Sequence, residues 1–298
     1  MDANVKTVQR NLVKEYYRLT KPPIWYLLVF TAFAGAFMAP WPDDAFPVVG
    51  FSLAIVAVIL GGAGCNTLTC YIDRDIDAIM PRTMDRPLPI GSVSPRGALS
   101  YGLILTGLAV PISYLASPWA ALFMILGILD NVVVYSMILK RRSVSNILLG
   151  GFSGGMPVLV GWSAVSGGIP SMLGVAMFLL VFIWIPSHIW SLSLRYKEDY
   201  DKVDVPMLPV VWKESLSIRI IALSSLALVV ITAAAFFVGQ FGILYLIVSG
   251  ISAGILLLLS LKLLVKPNQD RAWKLFKFTS PYLVFVFLAM VIEKILLL

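Results

Sequence analysis

The stretch Tyr71-Ile72-Asp73-Arg74-Asp75-Ile76-Asp77, followed by Arg82-Thr83-Met84-Asp85-Arg86-Pro87, packs carboxylates and guanidiniums directly behind an apolar run of membrane length. Charge at that density beside a bilayer is costly unless something binds there. Carboxylates that can hold Mg²⁺, with arginines whose forks match phosphate oxygens, are what a diphosphate requires. The chemistry indicated is that of an enzyme handling a lipid diphosphate. If the preceding helix continues through this loop, Asn66, Thr69, Asp73 and Asp77 share one face and Asp75 points elsewhere. Asp73 and Asp77, one turn apart, are then the pair expected to share Mg²⁺, with Asn66 and Thr69 as further oxygen donors. Arg82 and Arg86, stiffened by Pro87 and Pro89, are expected at the phosphates. The plainer alternative is a solvated helix end whose acids pair with Arg74, Arg82 and Arg86.

A second loop also mixes acids and bases: Arg195-Tyr196-Lys197-Glu198-Asp199-Tyr200, then Asp201 and Asp204. Glu198 and Asp199 are expected to supply a second carboxylate site, with Arg195 and Lys197 supporting the phosphates; periodicity does not decide between the two acids. His188, the sole histidine, stands about two turns inside the membrane from Arg195. An ionisable group within a span is a functional candidate by default. It could position a substrate, ligate an iron or move a proton, or be a satisfied interior side chain. Asp130 and Asn131 also fall deep in a span, where a cavity role and a helix–helix hydrogen bond are both open. Tyr135 lies nearer the charged end of that span. Gly150, Gly151, Ser153, Gly154 and Gly155 read as close helix packing.

The elements that must position these groups are membrane helices. The 298 residues are 59% hydrophobic and 13% charged, well under the roughly 25% charged of a soluble domain. Spans of about 20 apolar residues fit at 24–39, 48–71, 97–116, 118–138, 146–164, 170–192, 217–238, 241–263 and 277–297. The expected fold is all-α, one integral membrane domain over residues 1–298, with nine helices around a central cavity under a polar cap. The net charge of +7 does not indicate nucleic acid, because with nine alternating spans every Lys and Arg except Lys294 falls on one side. That asymmetry predicts a cytoplasmic N-terminus and an external C-terminus in the cell membrane. Lys6, Arg10, Lys14 and Arg18, beside Val5, Val8, Leu12 and Tyr16, predict a cytoplasmic amphipathic helix within residues 1–23. Cys65 and Cys70 share one span and imply no disulfide framework.

The DRDID and RTxxRPLPxG pattern within Thr69–Gly91 resembles the first signature of the UbiA-type intramembrane prenyltransferases. The segments HIWSLSLRYKEDYDKVDVPMLPVV (His188–Val211), VVVYSMILKRR (Val132–Arg142) and NILLGG–GMPVLVGW (Asn146–Trp162) are similar to the protoheme IX farnesyltransferase branch. Lys21-Pro22 fits as well, so the likeness runs from about residue 21 to residue 211, and the last three spans add only hydropathy. The resemblance implies Mg²⁺-dependent use of farnesyl diphosphate, with heme b as the acceptor substrate. It implies Asp73 and Asp77 as metal ligands and Arg82, Arg86, Lys21 and Lys140 or Arg141 at the diphosphate. Glu198 and Asp199 would form the second motif. The chain departs from the superfamily at Thr69 and Cys70, where Asn-Asp is frequent, and at Arg195, which stands near an acid of other branches.

The expected reaction joins farnesyl to a heme vinyl group with addition of water, giving heme O and diphosphate. Its nearest rival is a related enzyme that prenylates a quinone precursor or a lipid glycerol. An ion-coupled transporter would place its acids near the midplane, where only Asp130 qualifies. The sequence does not identify protein partners such as a heme A synthase or an oxidase-assembly factor.

Overall fold

The computed structural model describes residues 11–42 and 45–297. The expected helix face through Val5, Lys6, Val8 and Arg10 therefore lies outside the described residues. Its continuation is α1 (Leu12–Leu19), capped by the Asn11 side chain, which accepts from the Val13 amide at 3.0 Å. Leu12, Val13 and Tyr17 are exposed on this helix, while Glu15 and Leu19 are buried. Glu15 accepts from Ser92 at 2.6 Å and pairs with Arg18, which also reaches the Asp85 carbonyl at 3.0 Å. Thus α1 is strapped to the first charged loop.

The chain then turns at Lys21, whose backbone is left-handed (φ 49°), and Pro22 and Pro23 start α2 (Pro22–Met38). Proline disfavours helical conformation in the residue before it and is pre-set for the first helical turn, so the break falls there. The α1–α2 bend is 57°. The remaining elements are α3 (Val48–Ile72), α4 (Arg74–Asp77), α5 (Pro95–Ala116), α6 (Pro118–Leu129), a π-helical segment (Asp130–Leu139), α7 (Asn146–Gly150), α8 (Phe152–Ser166), α9 (Met172–Arg195), α10 (Lys197–Asp201), α11 (Leu208–Val211), α12 (Glu214–Gly239), α13 (Ile243–Val265) and α14 (Gln269–Leu297). Eight helices are long and apolar enough to cross a membrane, and nine if the bent pair is one span, so the expected nine stands at that upper count. Among the described residues there is no strand.

Within lipid every backbone group must be satisfied internally, which a helix does by itself. Association then rests on close packing and buried hydrogen bonds rather than on exclusion of water. The contact between α2 and α8 shows this most clearly. A β-carbon at Gly161 would run into the Ala32 carbonyl, and one at Gly35 into the Val158 carbonyl. Both positions must be glycine for the two backbones to meet. Helix α3 packs mainly on α5, α9 on α12, and α13 on α14.

The two ends of the bundle are tied differently. At one end the charged loops meet, with Asp73 on Lys140, Asp75 on Arg141 and Asp85 on Arg18. At the other, buried Glu293 accepts from the Gly242 and Tyr245 amides, capping α13. Lys294, the one cation outside the sidedness pattern, donates to the Ala39 carbonyl at 2.7 Å and lies over the Trp41 ring. It is therefore a fixed structural cation rather than a loop charge.

Gly161→Leu should separate α2 from α8 and cost about 1–3 kcal/mol or more, the usual scale of overpacking. Thermal unfolding of purified protein in detergent checks this; an unchanged midpoint would refute the backbone-contact account.

Candidate functional site

The last two turns of α3 and its C-cap present Cys65, Asn66, Thr69 and Asp73 to a cavity of about 480 Å³. Lys21, Asn131, Tyr135 and Lys140 join them at the charged end, and Trp184, Ile185 and His188 line it from α9. Most of the remaining wall is apolar, with Ile24, Leu27, Val58, Phe123 and Met124 among its residues. Helical spacing therefore identifies Asn66, Thr69 and Asp73 correctly as one cavity-facing row.

Asp77 departs from that row. Regular helix stops at Ile72, and Asp73 has φ −91° and ψ 5°, the sparsely populated bridge region. Hydrogen bonds continue through the break, from the Asp73 amide to Thr69 and from the Asp77 amide to Asp73. The reoriented α4 buries Asp77 outside the cavity wall, where Arg86 grips both carboxylate oxygens at 2.8 and 2.7 Å. The shared orientation of Asp73 and Asp77 expected from an unbroken helix is thus corrected by this kink.

Asp73 is 2% exposed and ion-paired through Oδ2 with Lys140. Its Oδ1 is buried and makes no hydrogen bond. Lys21 donates to the Thr69 hydroxyl at 3.3 Å. Burial disfavours the Lys140 ammonium, but Tyr135 and Asp73 outweigh that and hold its pKa above the ordinary lysine value. Burial likewise opposes the Arg86 charge, and Asp77 more than restores it. Both cations stay charged, Lys140 in the cavity wall and Arg86 outside it on Asp77.

Asp75 points outward as expected and takes Arg141 in a bidentate pair with both contacts at 2.6 Å. Of the two alternatives Lys140 and Arg141, only Lys140 reaches the cavity. Arg82 is exposed; it reaches the Tyr200 hydroxyl at 3.4 Å and lies 5.6 Å over the Tyr196 ring, linking the two charged loops.

The π-helical segment explains how Asn131, Tyr135 and Lys140 come together. In an α-helix nine residues are two and a half turns, so Asn131 and Lys140 would sit on opposite faces. At roughly 4.4 residues per turn the same nine residues complete about two turns. The wider winding appears in the Lys140 amide donating to Tyr135 and the Ser136 hydroxyl to Asn131, each five residues back. Asn131 thereby turns a buried, unpartnered Oδ1 toward the cavity wall. Asp130 faces away from the cavity and accepts from the Ser153 amide at 2.8 Å, at the N-terminus of α8. This is a hydrogen bond between helices, to the first turn of α8, which removes the feature that suggested a transporter.

The second loop is arranged differently from expectation. Tyr200 is the buried residue of α10, so its neighbours Glu198 and Asp199 take other faces, the first exposed and the second half-buried. Arg195 is exposed and Lys197 half-buried. None of the four lines the cavity. Among the described residues no group of three or more His, Cys, Asp or Glu is placed to hold a metal, so Asp73, Asp77, Glu198 and Asp199 are not one assembled metal set. Mg²⁺ commonly binds through one or two carboxylates plus waters and substrate phosphates. The free Oδ1 of Asp73, beside Asn66 and Thr69, fits that smaller requirement.

His188 is held on three sides. Trp184 stacks on one face (4.5 Å, 20°), Phe276 stacks on its ring as well (4.3 Å, 23°), and Nδ1 lies 2.8 Å from the Thr279 hydroxyl. Phe276 and Thr279 come from α14, where Thr279 falls in the expected last span and Phe276 in the basic segment just before it, and hydropathy carries no sign of either. Asn146, fully buried and donating to the Lys140 carbonyl at 3.2 Å, was also missed as a support of the site.

Residues 28–289 match the UbiA prenyltransferase family. The chain belongs to the UbiA prenyltransferase family. It is 44% identical to protoheme IX farnesyltransferase 2 of Cenarchaeum symbiosum (strain A), over 94% of this chain and 96% of the relative. It is also 44% identical to protoheme IX farnesyltransferase of Desulforudis audaxviator (strain MP104C), over 95% and 89% respectively. Among solved structures, a digeranylgeranylglyceryl phosphate synthase superposes with TM-score 0.80 at 22% identity, covering 95% of this chain and 99% of that one. A UbiA homolog from Archaeoglobus fulgidus bound to DMAPP and Mg²⁺ superposes with TM-score 0.69 at 15% identity, covering 93% and 99%. At those identities the structures establish the UbiA fold of a polytopic membrane protein.

Two outcomes follow. Lys140→Met should leave the buried Asp73 charge uncompensated and cost about 3–5 kcal/mol. The double variant with Asp73→Asn should recover most of that stability without recovering activity; additive losses in a double-mutant cycle would contradict the pairing. The Arg141 bond draws the Asp75 carboxyl down to about 2, below its unfolded value of about 3.9. Its stabilisation is then present above about pH 4 and lost as pH falls through about 2. Both partners are exposed, so Asp75→Asn should cost at most about 1 kcal/mol at neutral pH. Unfolding curves taken between pH 7 and 2 should converge for variant and parent; a pH-independent gap would count against it.

Proposed function

We propose that this chain transfers the farnesyl group of farnesyl diphosphate to a vinyl group of protoheme IX, with addition of water, giving heme O and diphosphate. The observation that carries the reading is a single cavity joining a cationic mouth, with the free Asp73 oxygen, to an apolar wall bearing the only histidine. The named activity of the 44% identical relatives over nearly the whole chain supports heme as the acceptor. Residues 1–298 act as one membrane domain, with the charged loops cytoplasmic and the C-terminus outside by the asymmetry of Lys and Arg.

Asp73 would hold Mg²⁺ through its free oxygen, with Asp77 joining it on release from Arg86. Bound there with the diphosphate, the metal would neutralise charge as the allylic C–O bond breaks. Lys140 and Lys21, which line the cavity, would receive the remaining charge of the departing diphosphate, joined by Arg86 once Asp77 leaves it for the metal. Glu198, Asp199, Arg195 and Lys197 stand back from the cavity and serve the mouth from the second loop. The apolar wall delays water until the vinyl carbon has bonded to farnesyl C1. Water then adds to the resulting cation with loss of one proton.

Purified protein incubated with heme b, Mg²⁺ and farnesyl diphosphate should yield a heme heavier by one farnesyl group and one hydroxyl. Asp73→Asn and Asp77→Asn should each lower that rate by roughly 100-fold or more, as expected when several kcal/mol of charge stabilisation are lost. Unmodified heme beside a prenylated quinone precursor would overturn the assignment of the acceptor.

A further inference from the structure

The hydrogen bonds around His188 determine which of its nitrogens is available. The Thr279 hydroxyl donates its single proton to the Phe276 carbonyl at 2.8 Å. Toward His188 it is left as an acceptor, so the contact at 2.8 Å is a donation from Nδ1–H. The neutral imidazole then carries its lone pair on Nε2. That nitrogen makes no hydrogen bond to any described residue, is not among the sequestered polar atoms, and belongs to a residue lining the cavity. Stacking on Trp184 and Phe276 fixes the ring plane. Trp184 is itself anchored, its indole N–H donating to the Thr279 carbonyl at 3.0 Å. Thr279 thus secures the histidine through both its side chain and its backbone.

A buried imidazole whose Nδ1–H is committed to an oxygen, with a bare Nε2 facing a cavity, is the arrangement of a metal-ligating histidine. We propose that His188 ligates the heme iron through Nε2 and that Thr279 is the positioning residue that sets its tautomer. The inference rests on heme being the acceptor. The lone pair lies in the imidazole plane, so the porphyrin plane would stand roughly perpendicular to the planes of the stacked rings. Iron ligation occupies the only free nitrogen, so His188 does not take the proton released when water adds. Its role is to hold the porphyrin about 10 Å along α9 from the charged end at Arg195, counting 1.5 Å per residue.

The test is a titration of the purified full chain in detergent with heme b, without Mg²⁺ or farnesyl diphosphate. It is read by the Soret band and by the ferrous carbon monoxide spectrum, alongside a separate farnesylation assay. The parent should show an imidazole-ligated spectrum. His188→Gly and the bulkier His188→Gln should lose it and bind heme about 10- to 100-fold more weakly, the scale of losing an ordered ligand. Added imidazole should restore the spectrum in His188→Gly. Thr279→Val should shift the iron–histidine stretching frequency, and Thr279→Ser should return it. An unchanged spectrum in both His188 variants, with heme b still farnesylated, would overturn the ligand assignment and leave the acceptor intact. A parent that neither binds nor farnesylates heme b would instead remove the acceptor reading and the ligand with it.

Discussion

A charge at the edge of a bilayer must have a partner, and the mouth of the cavity is organised around that requirement. Asp73 is held by Lys140, 67 residues later, and Asp77 by Arg86 within its own loop. The first pair draws the π-helical segment onto the end of α3. The second folds the loop back so that Thr83 can donate to the Asp77 carbonyl at 3.0 Å. Outside them Asp75–Arg141 and Arg18–Asp85 close the rim. The same carboxylates and cations proposed to meet the diphosphate thus build the resting architecture. Their mutual pairing lets them remain buried before a substrate brings its own charge.

The cavity grades from charged to apolar along its wall. Lys21, Asp73 and Lys140 cluster at helix ends, while His188 lies inside α9 between aromatic rings. A prenyl diphosphate has this polarity in one molecule, with an anionic head on an apolar tail. A porphyrin presents an apolar face and a metal centre. Few polar groups are available to fix either one, so each has to be rigid. Lys21 is set by a left-handed backbone before two prolines, and His188 by its stack and by Thr279.

Much of this was legible from spacing. The row Asn66, Thr69, Asp73 follows from a helix period, and Asp75 pointing outward follows from the same count. Asp77 departs from the row because the regular helix ends before Asp73 and Arg86 holds the Asp77 carboxylate outside the cavity wall, a tertiary pairing that periodicity cannot see. Glu198 and Asp199 read as a second carboxylate site from their composition, yet burial of Tyr200 sets α10 so that neither lines the cavity. The choice between Lys140 and Arg141 was undecidable from sequence because adjacent residues differ only in which side of the helix end they leave. Thr279 is invisible for a different reason: in an apolar span a single threonine reads as a packing residue until its neighbour is known.

The wide winding of residues 130–139 makes this stretch sensitive to chain length in a way point substitutions do not reveal. Removing a single residue there would favour ordinary α-helical geometry and swing everything on one side of the cut by about 100° relative to the other. Asn131 and Lys140 would no longer look into the same space, although neither had been changed. The reading frame of the helix, as much as its side chains, shapes the cavity wall.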